Sequence, residues 1–338
     1  MATQQWRTPL RTTVTRLLII SDTHTALPAP EEDGSRAYRE PLPSADILLH
    51  AGDITRVGRL AEYLRSFDVL KAARAELKLV IAGNHDITLD RDYYRRYGGL
   101  RHGSEREDLV AVRELWTGRS ARDAGIVYLE EGVNTFTLKS GATFTIYTSP
   151  YQPEYCQWAF KYERHEDRYN PALGTGNTSP ANPVPSYPHI DLMMTHGPPY
   201  QRLDRTSQGE DVGCPHLLRA VGRARPRLHC FGHIHEGWGA ERVRWGVRSN
   251  DAHQVRDQSS AVGLVEAVHQ YEPSKAQVLA DGAAYIDVSE HSSSPLDVGQ
   301  ETLLVNASIM DVRYRPLQAP WVVDIDLPLA QDGGGGER

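Results

Sequence analysis

Short apolar runs that stop abruptly at a glycine or a polar cluster constrain this chain more than any other feature. Leu79-Val80-Ile81 leads into Gly83-Asn84-His85-Asp86, Leu17 to Ile20 ends at Ser21-Asp22-Thr23-His24, and Ile47-Leu48-Leu49 leads into Gly52-Asp53. Runs of leucine and branched side chains without polar alternation read as strands buried on both faces, the pattern of parallel strands in an α/β protein. Leu60, Leu64, Phe67 and Leu70 keep helical spacing, which predicts a helix over 57–75. Strands separated by a helix or a long connection predict a sheet with right-handed crossovers, and such sheets bind ligands at the carboxyl ends of their strands.

The later chain repeats the pattern. An apolar run over 190–195 closes at His196-Gly197-Pro198-Pro199, and Leu228 to Phe231 closes at Gly232-His233-Ile234-His235, with a helix predicted over 214–221 between them. Asp22 and His24 are two residues apart, as are His233 and His235, and on an extended chain such pairs leave from one face. His50 and His229 lie inside their runs and read as core histidines. Segments 126–129, 135–138, 143–148, 303–308 and 321–326 carry strand patterning, with a hairpin turn at 139–142. The aromatic residues Tyr151, Trp158, Phe160 and Tyr162 make the irregular stretch 151–188 an expected ordered flap. A polar segment over about 246–302 reads as an insertion in a single domain of residues 1–330, expected to border the site, and 331–338 as a flexible tail.

Composition narrows the function. A formal charge of −7 on 338 residues offers no basic field for a nucleic-acid backbone, so a small anionic substrate is expected rather than a polymeric nucleic acid. Three cysteines without C-x-x-C spacing indicate neither a disulfide framework nor a thiolate zinc site, which fits a reducing, cytoplasmic setting. The opening residues carry no apolar core, and Leu17 to Ile20 is too short to span a bilayer, so neither a signal peptide nor a membrane segment is expected.

Asp22, His24, Asp53, Asn84, His196, His233 and His235 are seven oxygen or nitrogen donors, each at the end of an apolar run. Seven exceed what one tetrahedral ion uses. If one carboxylate bridges, they supply four donors to each of two ions, an arrangement suited to phosphoryl transfer and hydrolysis. Carboxylate, amide and imidazole without thiolate suit manganese, with iron or zinc as alternatives.

In order along the chain, D-x-H at Asp22, G-D at Gly52, G-N-H-D at Gly83, His196 and G-H-x-H at Gly232 resemble the calcineurin-like metallophosphoesterases. The wording A-G-N-H-D-I-T-L-D, T-H-G-P-P, F-G-H-I-H-E-G-W-G and V-N-A-S is similar to the metallophosphoesterase-domain-containing branch, relatives of class III cyclic-nucleotide phosphodiesterases. The resemblance covers about 17–328 and leaves the 246–302 insertion without a counterpart. It implies a two-sheet α/β sandwich with helices on the outer faces. It also implies Asp22, His24, Asp53 and His235 on one metal ion, Asp53, Asn84, His196 and His233 on the other, and a hydroxide nucleophile between them. His85 would protonate the leaving oxygen, with Asp86 orienting or charging it, in the hydrolysis of a small cyclic-nucleotide-like phosphodiester or a phosphomonoester. Two rival readings are the same dinuclear site turned to a non-nucleotide substrate, by hydrolysis or dehydration, and a scaffold with a dead site.

Overall fold

Each apolar run forms a strand, and both faces of those strands are covered. In chain order, β1 (Thr12–Ile20), β2 (Ile47–His50), α1 (Leu60–Ala72), β3 (Leu77–Val80), α2 (Arg91–His102), α3 (Leu109–Thr117), α4 (Arg119–Asp123) and β4 (Ile126–Tyr128) come first. Then follow β5 (Gly132–Thr137), β6 (Thr143–Ser149), the short pair β7 (Gln152–Pro153) and β8 (Lys161–Tyr162), β9 (Leu192–Thr195), α5 (Pro215–Ala224) and β10 (Leu228–Phe231). β11 (Gly239–Trp245), β12 (Val265–Tyr271), α6 (Lys275–Asp281), β13 (Ala284–Asp287), β14 (Glu301–Asn306) and β15 (Trp321–Pro328) complete the chain. The computed structural model describes residues 11–172, 180–246 and 264–330; the expected tail at 331–338 lies outside them.

Two sheets carry the fold, one ordered β13-β15-β1-β2-β3-β4 and the other β12-β11-β14-β10-β9-β6-β5. β1, β2, β3 and β4 are parallel neighbours, as are β6, β9, β10 and β14. Alternate residues of β1 face different cores. Leu17 and Ile19 join Ile146, Met194, Cys230 and Val305 between the sheets, whereas Leu18 and Ile20 pack outward with Tyr63 and Phe67 of α1 and Trp116 of α3. On the far side of the second sheet, Met193, Phe231 and Leu304 meet Leu217, Leu218 and Val221 of α5. The molecule is a two-sheet α/β sandwich with helices outside, and the lack of polar alternation in the runs follows from that double burial. Among the described residues no helix is long and apolar enough to cross a membrane.

Helix α1 is shorter than the predicted 57–75. Glu62 accepts from the backbone N–H of Val57 at 3.1 Å and of Arg59 at 3.0 Å, which fixes the start at Leu60. The segment expected as an insertion takes part in both sheets. Its described part adds β12 to one edge of the second sheet and β13 to one edge of the first. β12 is largely exposed, so as an edge strand it offers no apolar alternation to read.

Candidate metal centre

The parallel strands end at one rim, and there the two sheets are joined. Ser21 N–H donates to Ala307 O at 2.8 Å and Ile309 N–H to Ser21 O at 2.9 Å, so the ends of β1 and β14 are tied together. Asp22 and His24 follow β1, Asp53 follows β2, Asn84 follows β3, His196 follows β9, and His233 and His235 follow β10. Three backbones come close enough that only glycine fits. A Cβ on Gly52, whose φ is +98°, would lie 2.7 Å from His196 Nδ1; on Gly83 it would meet Asp53 Oδ1, and on Gly232 Asp22 Oδ2.

The donors form two groups. Asp22, His24 and His235 bring one ligand atom each within 4.8 Å of one another, and so do Asp53, His196 and His233. Asp53 lies between the groups, with Oδ2 at 3.6 Å from His24 Nε2 and Oδ1 at 3.5 Å from His196 Nε2. Asn84 Oδ1 is 2.9 Å from His196 Nε2. All seven sequence-predicted donors therefore converge, but not by strand alternation. Asp22 (φ 50°), His24 (φ 42°), Asp53 (φ 51°) and His233 (φ 67°) are left-handed, and His235 opens a 3₁₀ turn. The paired histidines of H-x-H accordingly reach opposite groups instead of pointing the same way.

Backbone carbonyls orient the rings. Nδ1–H of His24 donates to Thr55 O at 2.9 Å, that of His196 to Ala51 O at 3.0 Å and that of His235 to Asp311 O at 3.1 Å, which turns each Nε2 inward. Asp22 accepts from Ser308 Oγ at 2.9 Å and from His233 N–H at 3.0 Å. His24 Nε2 is buried with no hydrogen-bond partner. A buried imidazole nitrogen left unpaired, facing carboxylates, fits a bound cation.

The charges agree with that fit. Burial pushes His24 and His233 down to about 3, so both are neutral with a lone pair to offer. Burial also opposes a charge on His196, but Asp53, and more weakly Asp22, raise it to about 9; in a cation-free site its proton balances the carboxylate. Asp22 and Asp53 are held below the ordinary carboxylate range, burial notwithstanding, by His235 and His196 respectively. These oxygen and nitrogen donors suit a divalent ion of the Mn, Fe or Zn type.

His85 and Asp86 behave differently from each other. His85 Nδ1–H donates to Arg56 O at 2.6 Å, and its ring stands 4.7 Å from that of His24. Asp86 does not orient His85, which corrects the sequence-based expectation. Its fully buried carboxylate accepts from Ile54 N–H (3.1 Å), Thr55 N–H (2.9 Å), Thr55 Oγ1 (2.7 Å) and Gly83 N–H (2.8 Å), tying the loop after β2 to the loop after β3.

A cleft of about 470 Å³ opens over Asp53, Asn84, His85, His233 and His235. Tyr155 from the flap and Tyr314 from the loop before β15 line it, and no described residue of the 264–302 segment does. Sequence reasoning missed Tyr314, whose ring is 4.9 Å from that of His24 and 5.2 Å from that of His235. It also missed Asp311 and Ser308; the V-N-A-S wording was the one signal that could have drawn attention to Ser308.

Comparison with known proteins places the chain in a family. The chain is 29% identical to human metallophosphoesterase domain-containing protein 1 over 93% of its own length and 72% of that protein's. It is 32% identical to a probable rhamnogalacturonate lyase C of Emericella nidulans over 72% of its length, though it spans only 19% of that much longer protein. Among solved structures, a phosphopantetheinyl hydrolase from Mycobacterium tuberculosis aligns over 77% of this chain and 96% of its own, at 19% identity and a TM-score of 0.36, too loose to carry weight. The calcineurin-like phosphoesterase family model matches residues 15–237, a segment that contains all seven donors. Matched over well more than half of its length, this chain belongs to the calcineurin-like phosphoesterase family.

Proposed function

We propose that the chain hydrolyses a small phosphodiester, or a phosphomonoester, at a centre of two metal ions. The observation that carries this reading is Asp53, which offers one carboxylate oxygen to each donor group. Asp22, His24 and His235 would hold one ion, Asn84, His196 and His233 the other, with Asp53 shared between them. Bound there, such ions supply Lewis acidity and a nucleophile active at neutral pH.

The chain's own groups do the rest. The cleft of about 470 Å³ suits a small ligand. His85, anchored through Nδ1–H, would in its doubly protonated form give the Nε2 proton to the departing oxygen, and its place beside Asn84 and 4.7 Å from His24 supports that role. A complete set of seven donors argues against a dead scaffold.

Metal analysis of protein purified without chelator and supplied with manganese tests the centre. Two ions per chain are expected, with Asp53→Asn weakening both and His24→Ala emptying mainly one. One ion or none in the wild type would end the two-metal reading. A panel of diesters, monoesters and cyclic nucleotides then identifies the substrate, and His85→Ala should slow alkyl esters by about 10²- to 10⁴-fold while leaving metal content intact.

A further inference from the structure

We propose that Trp158 is a positioning residue for His85, so that the flap, through its indole ring, sets the direction in which the proton is delivered. The inference rests on the reading of His85 given above. The indole of Trp158 stacks on the His85 ring with centroids 3.9 Å apart and planes 26° from parallel. The guanidinium carbon of Arg101 lies 3.6 Å from the centroid of the indole ring. Two groups each within 4 Å of one ring centroid must occupy its opposite faces. Arg101, Trp158 and His85 therefore form a three-layer stack reaching from α2 to the metal centre.

The stack is held on both sides of the tryptophan. Tyr93 Oη–H donates to Gln157 O at 2.6 Å, and Phe160 N–H donates to Asp90 Oδ2 at 3.0 Å, so the start of α2 grips the chain one residue before and two residues after Trp158. With Arg101 from the same helix against the outer indole face, the ring is fixed from behind. His85 itself has less to hold it. Its hydrogen bond to Arg56 O fixes Nδ1 but not the ring plane, because the terminal torsion of histidine is broad. The neighbouring His24 and Tyr314 rings meet it edge-on or tilted and lay no parallel face against it. The indole face supplies the missing restraint on a ring that lines the cleft.

A misaimed acid matters only when the leaving group needs a proton. Trp158→Ala should lower kcat on an alkyl phosphodiester by about 10- to 100-fold, the range in which small misplacements of a reacting group act, and on a p-nitrophenyl ester by less than about threefold. Trp158→Phe, which keeps an aromatic face, should recover most of the loss. Metal content should not change, since the ring contacts of the indole are with His85 and Arg101 and not with any of the seven donors. In a His85→Ala background, adding Trp158→Ala should change the alkyl-ester rate by less than about twofold, because the two act as one unit.

Equal losses on both leaving groups, or losses that multiply with His85→Ala, would overturn the proposal and make Trp158 a packing or substrate contact. His85→Ala alone is the control for the underlying reading. If that variant shows no dependence on the leaving group, the acid assignment falls and this proposal falls with it. If it does and Trp158→Ala does not, only the positioning role is refuted.

Discussion

Asp86 is the residue whose type most suggests chemistry and whose surroundings most clearly give it another task. Replacing it with alanine would strip partners from three buried backbone N–H groups, those of Ile54, Thr55 and Gly83, and one partner from the Thr55 hydroxyl. A buried donor left unpaired costs about 1–3 kcal/mol, so the three amides alone amount to roughly 3–9 kcal/mol, the lower end applying where water enters the space. Relief of the repulsion with Asp53 offsets part of this, since burial and then the Asp53 charge push Asp86 up to about 7. Domains are stable by only about 5–15 kcal/mol, so the loss is a large fraction of the whole. Asp86→Asn should do less damage, because one carbonyl oxygen still accepts while the amide nitrogen faces N–H donors. Urea unfolding at pH 7 reads the effect as a lower midpoint at unchanged slope, in proportion Ala worse than Asn. In the folded fraction the ratio of p-nitrophenyl to alkyl ester rates should match the wild type. A variant of near wild-type stability whose rate ratio shifts would refute this reasoning and restore Asp86 as a partner in proton transfer.

Two further outcomes follow from the same packing. Gly232→Ala should lower occupancy of the Asp22, His24 and His235 group at limiting manganese, because the new Cβ would meet Asp22 Oδ2 and Ser21 Oγ; metal content equal to wild type would mean that the loop yields at little cost. Glu241, buried and raised to about 7 by burial, with Asp204 adding to the effect and Arg202 at 3.4 Å opposing it, has a folded pKa above its unfolded one. The stability its proton contributes is present below about pH 4 and lost as pH rises through 7, some 3 kcal/mol at about 1.4 kcal/mol per tenfold change in proton affinity. Between pH 5 and 8 the wild type should thus lose stability relative to Glu241→Gln; parallel curves for the two would contradict this.

What could be read from sequence was whatever burial on both faces imposes. Leu17 to Ile20 carries no polar residue because one side packs on the other sheet and the other side on α1 and α3, so strand and end point were visible together. The metal-type residues were visible for the same reason, standing as polar side chains directly after apolar ones. The 311–315 turn left no such trace. It serves through Asp311 O, a backbone carbonyl that any residue would supply, while the Asp311 carboxylate folds the turn itself by accepting from Arg313 N–H and Arg315 N–H, both at 2.9 Å. Asp86 misled because a carboxylate that binds amides and one that steers a proton have the same letter.

The backbone at the rim carries the remaining lesson. Left-handed φ in a residue with a side chain costs on the order of 1–3 kcal/mol, and Asp22, His24, Asp53, His233 and Tyr314 all adopt it. Such a conformation persists only where its surroundings leave no alternative. Here the loops fix one another: Asp22 N–H donates to Gly52 O at 2.9 Å, His24 N–H to Asp53 O at 3.0 Å, and His85 N–H to Asp53 Oδ1 at 2.8 Å. Asp22, His24, Asp53 and His233 are thus each held by a residue that follows a different strand of the same rim, whereas Tyr314 N–H donates to Asp311 O within its own turn. A donor set assembled in this way has its geometry determined by the sheets before any ion arrives. On the proposed reading, cations bound there would replace the proton on His196 and satisfy the open nitrogen of His24, so that binding would release protons more than it would rearrange the chain.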